Sequence, residues 1–147
     1  MSFFGGMEIS ATALTAQRLR MNVTAENLAN AQTTRGADGQ PYRRKEVVLQ
    51  AAGQSGFGAQ LSAALGTCGV APGGVQVAAV TEDQTSGKLV YDPGHPDADE
   101  QGYVRMPNVD TVTEMVDLID AQRTYEANVT AMQASKQMFV KTLEILR

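Results

Sequence analysis

The feature that most constrains the fold is the C-terminal segment 111–147, which contains neither glycine nor proline. Steps of alternately three and four residues along it reach apolar side chains at eight of ten positions. The ten are Met115, Leu118, Gln122, Tyr125, Val129, Met132, Lys136, Phe139, Leu143 and Leu146. This spacing is typical of a coiled-coil seam and predicts one helix of roughly 50 Å. Thr111 and Glu114 match a capping box, and Asn108 is an alternative cap.

A second helix is predicted from Met7 to Asn30, where the chain also lacks glycine and proline. The apolar residues Met7, Leu14, Met21 and Leu28 recur every seven positions, and with Ala11 and Ala25 they form one narrow stripe. Gln17 and Arg18 interrupt that stripe. A stripe this narrow stabilises a helix only when it is packed, so each helix needs a partner surface.

The words AQR and NVTA occur in both predicted helices, at 16–18 and 22–25 and again at 121–123 and 128–131. AQR places Gln17 and Gln122 at equivalent steps of the two seams. The two glutamines either set the register between helices or simply interrupt the seams with polar groups. NVTA does not keep the same register, so the two helices are not read as a duplicated unit.

Between the helices the chain is rich in glycine, and its apolar runs are short and rich in valine. The runs EVVLQA, GVQVAAV, KLVY and GYVRM predict strands, and the segment from Gln50 to Gly74 predicts a loop or extension. The predicted fold class is α+β, with long terminal helices in a coiled-coil layer and a small β-rich centre. The predicted divisions are 1–34 for the first helix, 35–107 for the centre and 108–147 for the second helix.

Composition and charge exclude several classes of partner. A net charge of −4 gives no electrostatic reason to bind nucleic acid or an anionic membrane. No apolar run is long enough to insert into a membrane, and the first ten residues lack the pattern of a cleaved signal peptide. The single cysteine, Cys68, cannot form an intrachain disulfide.

The sequence offers little for catalysis or for a cofactor. His95 is the only histidine, and neither a phosphate-binding GxxxxGK[ST] loop nor a GxGxxG turn is present. Asp92, Asp97, Asp99 and Glu100 could collect a cation beside His95, but Pro93 and Pro96 in the same stretch indicate a rigid turn. We therefore predict no enzyme activity, no cofactor, no metal and no small-molecule substrate.

Both ends of the chain resemble the bacterial flagellar rod, hook and filament-junction proteins. The N-terminal resemblance lies in ATALTAQRLRMNVTAENLANAQTT, Ala11 to Thr34, above all in Asn27–Ala31 followed by Thr33. The C-terminal helix of the family is similar to Glu114–Leu146, and Tyr91–Asp110 resembles a proximal-rod member. Together the two terminal stretches cover more than a third of the chain, and the combination is specific.

The resemblance implies a non-enzymatic building block that polymerises into the axial drive shaft and export channel of the flagellum. It implies export through the flagellar type III apparatus without signal cleavage, and a place in the periplasmic rod. The implied partners are copies of the chain, other rod proteins, and basal-body and export-apparatus components. The outer, Gly- and Ala-rich centre is where the resemblance is weakest.

The terminal helices would then form an inner coiled-coil layer. With the two seams, the predicted assembly interface comprises Met7, Leu14, Gln17, Arg18, Met21, Leu28, Met115, Leu118, Gln122, Tyr125, Val129, Met132, Phe139, Leu143 and Leu146. The alternative is a soluble binding module, in which the two helices close into a hairpin that carries a small β-domain for a ligand. A metal enzyme built on His95 and its neighbouring carboxylates is a more distant possibility.

Overall fold

The computed structural model describes residues 3–36, 38–52 and 73–145. Along these described residues, two long helices precede and follow four strands. The elements are α1 (Phe3–Ala29), β1 (Lys45–Ala51), β2 (Val75–Glu82), β3 (Leu89–Tyr91), β4 (Tyr103–Arg105) and α2 (Thr111–Ile145). The predicted α+β class is confirmed, and each valine-rich run contains one strand. Most of the predicted Gln50–Gly74 loop lies outside the described residues, as does Cys68.

The two helices pack against each other as an antiparallel hairpin. Asn27, near the end of α1, contacts Glu114 in the first turn of α2, and the helices then continue in contact along their lengths. At 1.5 Å per residue, the 35 residues of α2 extend roughly 12 Å further than the 27 residues of α1. The far end of α2 therefore projects past the hairpin. In the described part of the chain no helix is both long and apolar enough to cross a membrane.

The helix α1 begins earlier than its sequence pattern predicts. Gly5 and Gly6 lie inside it, although the absence of glycine after Met7 suggested a later start. Neither glycine has a positive φ, so both follow the ordinary right-handed helical path. The prediction was wrong here because glycine lowers helix propensity without forbidding a helix.

The helix α2 begins at Thr111, but its cap differs from both predicted ones. Asp110 Oδ1 accepts a hydrogen bond from Val112 N at 3.0 Å, and Asp110 O accepts one from Glu114 N at 2.9 Å. Asp110 is therefore the N-cap residue. Asn108 Oδ1 instead accepts a hydrogen bond from Arg44 N at 2.8 Å. The Glu114 side chain turns towards α1, so the predicted capping box is wrong.

Strands β1 and β2 form an antiparallel pair that packs against α1. Their register runs from Lys45 opposite Glu82 to Ala51 opposite Val75, with an irregularity between Val48 and Leu49. Val47 and Leu49 are half-buried while Val48 is exposed, as expected for a strand with one covered face. The pair thus covers a second side of α1, next to the side that α2 covers.

The first residues of β2 approach α1 very closely. Val75 N donates a hydrogen bond to Thr12 Oγ1 at 3.2 Å, and Gly74 lies beside the same hydroxyl. A Cβ atom added at Gly74 would lie 2.2 Å from Thr12 Oγ1. Only glycine allows this approach, which joins the sheet to the middle of the hairpin.

Strands β3 and β4 form a second antiparallel pair. Val90 lies opposite Val104, which is almost fully buried, and Tyr91 lies opposite Tyr103. The two tyrosine rings meet edge to face with centroids 5.3 Å apart. At the connecting turn Gly102 has a φ of +79° and donates its N–H to Asp99 O at 2.8 Å. The segment 92–101 is therefore an ordered loop at the tip of this pair.

Candidate assembly interface

A group of polar residues centred on two buried side chains joins α1, the segment that leads into β1, and α2. We call Asn27, Tyr42, Arg44, Lys45 and Glu114 the polar cluster. Asn27 is 1% exposed and makes four hydrogen bonds. Its Nδ2 donates to Lys45 O at 2.9 Å and to Glu114 Oε2 at 3.0 Å, and its Oδ1 accepts from Lys45 N and from Tyr42 Oη, each at 2.9 Å. The full bonding capacity of the amide is therefore used.

Glu114 carries the negative charge of the polar cluster and is also 1% exposed. Its Oε1 accepts a hydrogen bond from Arg44 Nε at 2.6 Å, and Arg44 Nη2 lies 3.4 Å from Asp117 Oδ2. The hydrogen bond to Glu114 raises the pKa of Arg44, so the guanidinium stays charged. A buried carboxylate is costly unless it is paired and hydrogen-bonded, and here it is both.

The surroundings of the polar cluster also change the pKa of Tyr42. Burial, followed by the negative charges of Glu26, Glu114 and Glu82, raises the pKa of Tyr42 from 10.0 to about 12. The neutral phenol is the form that donates a hydrogen bond to Asn27 Oδ1. Ionisation of Tyr42 would place a second anion beside Glu114 and remove that donor.

The row of α2 that faces the interior follows a heptad spacing, but it is not the predicted seam. Its buried or half-buried members are Glu114, Leu118, Ala121, Tyr125, Asn128, Met132 and Ser135. Three of them, Leu118, Tyr125 and Met132, also belong to the predicted seam. The remaining members lie one residue before the predicted Met115, Gln122, Val129 and Lys136. Met115 is 46% exposed, and Gln122 and Lys136 also face outwards, whereas Val129 is half-buried.

The physical reason for this offset is the identity of two interior residues. Ala121 is 1% exposed, and its small side chain lets α1 approach closely. Glu114 takes an interior position because the polar cluster satisfies its charge. A search for apolar residues selects Met115 and Val129 instead, so half of the predicted seam is displaced by one residue.

On α1, the row Met7, Leu14, Met21 and Leu28 is half-buried. Ala11 and Ala25 of the predicted stripe are exposed within the chain, as is Arg18. The outward row comprises Glu8, Ala11, Thr15, Arg18, Asn22, Ala25 and Ala29. Because α1 contacts both α2 and the first sheet, its covered arc is wider than one stripe, and the buried residues include Ala16, Val23 and Thr24.

The repeated sequence AQR places a buried alanine in each of the two helices. Ala16 and Ala121 are 2% and 1% exposed, so both words place a small side chain in the interior. The two glutamines differ: Gln17 Oε1 is buried without a hydrogen-bond partner among the described residues, whereas exposed Gln122 donates to Glu126 Oε1 at 3.2 Å. The two glutamines therefore do not occupy equivalent surroundings within the chain.

The helix α2 also presents large apolar side chains outwards. Near its start Val112, Met115, Val116 and Ile119 lie at helical neighbour spacing, and Ile119 is 49% exposed. We call these four the outer row. A second exposed group, near the far end, comprises Met138, Phe139, Val140, Leu143 and Ile145. Leu146, the last residue of the predicted interface, lies outside the described residues.

The structure thus divides the predicted interface residues. Those in or beside the hairpin contact are half-buried: Met7, Leu14, Gln17, Met21, Leu28, Leu118, Tyr125, Val129 and Met132. Those on the surface are Arg18, Met115, Gln122, Phe139 and Leu143. Sequence reasoning missed Asn27 and Glu114 as interior residues. No local pattern identifies them, because each is buried through polar partners that are distant along the chain.

The described residues do not hold a catalytic or metal-binding constellation. No group of three or more His, Cys, Asp or Glu side chains in this part of the chain could hold a metal ion. The most buried carboxylate, Glu114, is already committed to Asn27 and Arg44. The Glu114 carboxylate is suited to positioning the helices, because each of its two oxygens accepts a hydrogen bond from a side chain that is fixed in the fold.

Comparison with known proteins agrees with a structural role for the chain. Residues 7–37 match the family model described as "Flagella basal body rod protein", and residues 100–145 match "Flagellar basal body rod FlgEFG protein C-terminal".

The chain is 52% identical over 149 residues to a flagellar basal-body rod protein FlgC of Bacillus subtilis, with 99% of both chains covered. It is 49% identical to the Escherichia coli FlgC, over 99% of this chain and 98% of that one. It is 42% identical to the Borreliella burgdorferi FlgC, over 100% of this chain and 99% of that one. The chain therefore belongs to the FlgC family of flagellar basal-body rod proteins, which are structural subunits and not enzymes.

Proposed function

We propose that the chain is built into the rod through its terminal helices, which form an inner coiled-coil layer with helices of neighbouring subunits. The observation that carries this proposal is the division of α2 into two faces. One face packs against α1, and large apolar side chains remain exposed near both ends of the helix. Contiguous apolar surface of this kind is a mark of contact with another protein.

In this proposal the hairpin is the unit that assembles. The half-buried members of the predicted interface hold α1 against α2. The surface members Arg18, Met115, Gln122, Phe139 and Leu143, together with Leu146, contact neighbouring subunits. In the proposal the predicted divisions 1–34 and 108–147 supply the helical layer, and the predicted division 35–107 belongs outside it.

The energetics favour assembly of such a chain. The described core is small, and its buried apolar side chains are Ala16, Val23, Ala31, Val104 and Ala121. A core of this size supports only marginal stability in the isolated subunit. Each neighbour that covers exposed Val116, Ile119 or Leu143 adds hydrophobic stabilisation of about 25 cal/mol per Å² of apolar surface buried. Many such contacts repeated along a tube would resist torsion together.

We further propose that the protein works as part of the axial drive shaft and export channel, in the periplasmic section of the rod. Its partners are copies of itself, other rod proteins, and basal-body and export-apparatus components. Export through the flagellar type III apparatus without a cleaved signal suits a chain whose single cysteine cannot form an intrachain disulfide. Marginal stability of the subunit also favours passage in an unfolded state.

The alternative, a soluble helical-hairpin binding module, shares one feature with the structure, because the two helices do pack within the chain. It does not account for the exposed apolar groups of α2, which would remain in contact with water in a closed monomer. Membership of the rod family also disfavours it.

The test is a substitution in the outer row. In Val116→Asp with Ile119→Asp, both altered residues are exposed, so the purified subunit should unfold at the same temperature as the wild type. Complementation of a strain that lacks the protein should nevertheless fail, with loss of swimming. A matched control is Thr130→Asp with Gln133→Asp, which alters two exposed polar positions of the same helix. Full motility of the Val116/Ile119 variant would overturn the proposal.

A further inference from the structure

An open cleft of about 710 Å³ is formed by the segment that follows α1, the loop 92–101 and strand β4. Three arginines line it: Arg35 and Arg43 from the segment and Arg105 from β4. Arg43 and Arg105 also line a smaller opening beside Gln84 and Gly87. We call this surface the arginine cleft. It gathers positive charge on a chain whose net charge is −4.

The charges of two of these arginines are not balanced within the described chain. Arg43 donates hydrogen bonds to Gln84 Oε1 at 2.6 Å and to Gln40 Oε1 at 3.1 Å, and both acceptors are neutral. Arg105 has no hydrogen bond or ion pair from its side chain to another described residue. Arg35 Nη1 lies 3.6 Å from Asp97 Oδ1, and Asp99 also lines the cleft. The cleft therefore retains a net positive charge.

The loop 92–101 has the opposite character. It contains Asp92, Asp97, Asp99 and Glu100, and no lysine or arginine. Asp97 anchors the loop, because its Oδ2 accepts a hydrogen bond from Thr34 Oγ1 at 2.8 Å. Asp92 and Glu100 are exposed. The loop thus presents carboxylates on a fixed backbone, which lowers the entropy cost of binding a cation.

We propose that the arginine cleft of one copy receives the loop 92–101 of a neighbouring copy, with Asp92 and Glu100 of that copy pairing with Arg43 and Arg105. This inference rests on the proposed function and identifies a contact outside the helical layer. A guanidinium group binds a carboxylate through two parallel hydrogen bonds, so each pair gives direction as well as attraction.

The geometry of this contact suits a growing polymer. Asp97 and Asp99 of the loop line the cleft, but the exposed Asp92 and Glu100 do not. The arginines and these two carboxylates are therefore different surfaces of one chain, and their contact is heterologous: every copy offers its arginines to one neighbour and its exposed carboxylates to another. Contacts of this type propagate into a ring or an open helical array, whereas a contact between identical surfaces ends at a dimer. The arginine cleft would therefore set the orientation of successive copies.

The test uses charge reversal and its compensation, read as swimming of a strain that lacks the protein. Arg43→Glu with Arg105→Glu should abolish swimming, and Asp92→Lys with Glu100→Lys should do the same. The chain that carries all four changes should swim again, because its basic loops fit its acidic clefts. The charge-conserving Arg43→Lys with Arg105→Lys should retain swimming.

Thermal unfolding of the purified full chains separates assembly from folding. Each variant should unfold within about 3 °C of the wild type, a shift that corresponds to about 1 kcal/mol for a chain of this length. Motility of both charge-reversed pairs, or a folded fourfold variant that does not swim, would overturn the inference. In either case the proposed function would stand as long as the Val116/Ile119 variant fails to swim. Motility of that variant would remove the proposed function independently of the cleft.

Discussion

Asn27 donates a hydrogen bond to Glu114 at 3.0 Å across a separation of 87 residues, and both side chains are buried. The bond joins the last turns of α1 to the first turn of α2. A slip of either helix by one residue would leave the Glu114 carboxylate facing apolar side chains without a donor. Buried polar groups of this kind can specify the register of packed helices, and in the proposed assembly the bond would align the surface that the hairpin presents to other subunits.

Replacement of Asn27 tests this relationship. Asn27→Leu removes four hydrogen bonds and leaves Lys45 N, Lys45 O and one oxygen of Glu114 without a partner. Because each buried unsatisfied group costs about 1 to 3 kcal/mol, we expect the free energy of unfolding to fall by at least ~2 kcal/mol. Urea denaturation of the purified subunit measures this change.

The matched control is Asn22→Leu, at an exposed position of the same helix. It should change the free energy of unfolding by less than about 0.5 kcal/mol, as surface substitutions usually do. Equal losses in the two variants would show that the Asn27 hydrogen bonds contribute nothing specific.

A second prediction concerns the two most buried alanines, Ala16 of α1 and Ala121 of α2. Ala121→Leu inserts three carbon atoms where the native side chain is almost fully buried, so the helices must separate or the new side chain must adopt a strained rotamer. We expect a loss of about 1 to 3 kcal/mol in the free energy of unfolding. Ala16→Leu should behave similarly, again by urea denaturation.

Ala127→Leu and Ala25→Leu provide the controls, because both alanines are exposed on the same two helices. They make the same chemical change without crowding, and leucine is nearly as good a helix former as alanine. If the buried and exposed substitutions had the same effect, the tight packing around Ala16 and Ala121 would be disproved.

Much of the fold could be predicted because its signals are local. The absence of breakers in 111–145 and the valine-rich runs depend on neighbouring residues, and they located both helices and all four strands. The interior row of α2 depends instead on distant partners. Glu114 is satisfied by Arg44, which lies 70 residues away along the chain. A local pattern selects apolar Met115 in preference to charged Glu114. Half of the predicted seam therefore lies one residue after the row of α2 that packs against α1.

The helix cap shows the same limitation on a smaller scale. Thr111 and Glu114 satisfy the capping-box pattern, yet Asp110 forms the cap and Glu114 points inwards. The sequence contains two acceptable caps one residue apart. The choice between them depends on whether Glu114 is needed elsewhere, which only the position of α1 determines.

A third prediction concerns the two glycines with the tightest surroundings. A Cβ atom at Gly74 would meet the side chain of Thr12, whereas one at Gly87 would lie 1.8 Å from the backbone oxygen of Met106. Gly74→Ala should therefore lower the unfolding temperature, and Thr12→Ala in the same chain should restore part of the loss, because it removes the nearest atom. Gly87→Ala should be destabilising, and Met106→Ala should not relieve it.

Thermal unfolding followed by circular dichroism measures all four proteins. Gly6→Ala is the control, since a Cβ atom there meets nothing within 4 Å. It should leave the unfolding temperature unchanged or raise it slightly, because alanine favours helix over glycine. A Gly74→Ala protein as stable as the wild type would contradict the contact between β2 and α1.

The last prediction concerns alkaline pH. Burial and the nearby glutamates raise the pKa of Tyr42 from 10.0 in the unfolded chain to about 12 in the folded one. Between these values the unfolded chain releases the phenol proton and the folded chain retains it, so the free energy of unfolding falls as pH rises. The contribution is fully present below pH 10 and is lost as pH approaches 12.

Tyr42→Phe should remove this contribution, so its stability should decline less steeply between pH 10 and 12 than that of the wild type. The variant also loses the hydrogen bond to Asn27 and should be less stable at neutral pH. Urea midpoints at several pH values measure the slopes, and absorbance at 295 nm follows the phenolate directly. Tyr91→Phe, at an exposed position, should keep the wild-type slope. If the slope of Tyr42→Phe matched the wild type, Tyr42 would not be the titrating group.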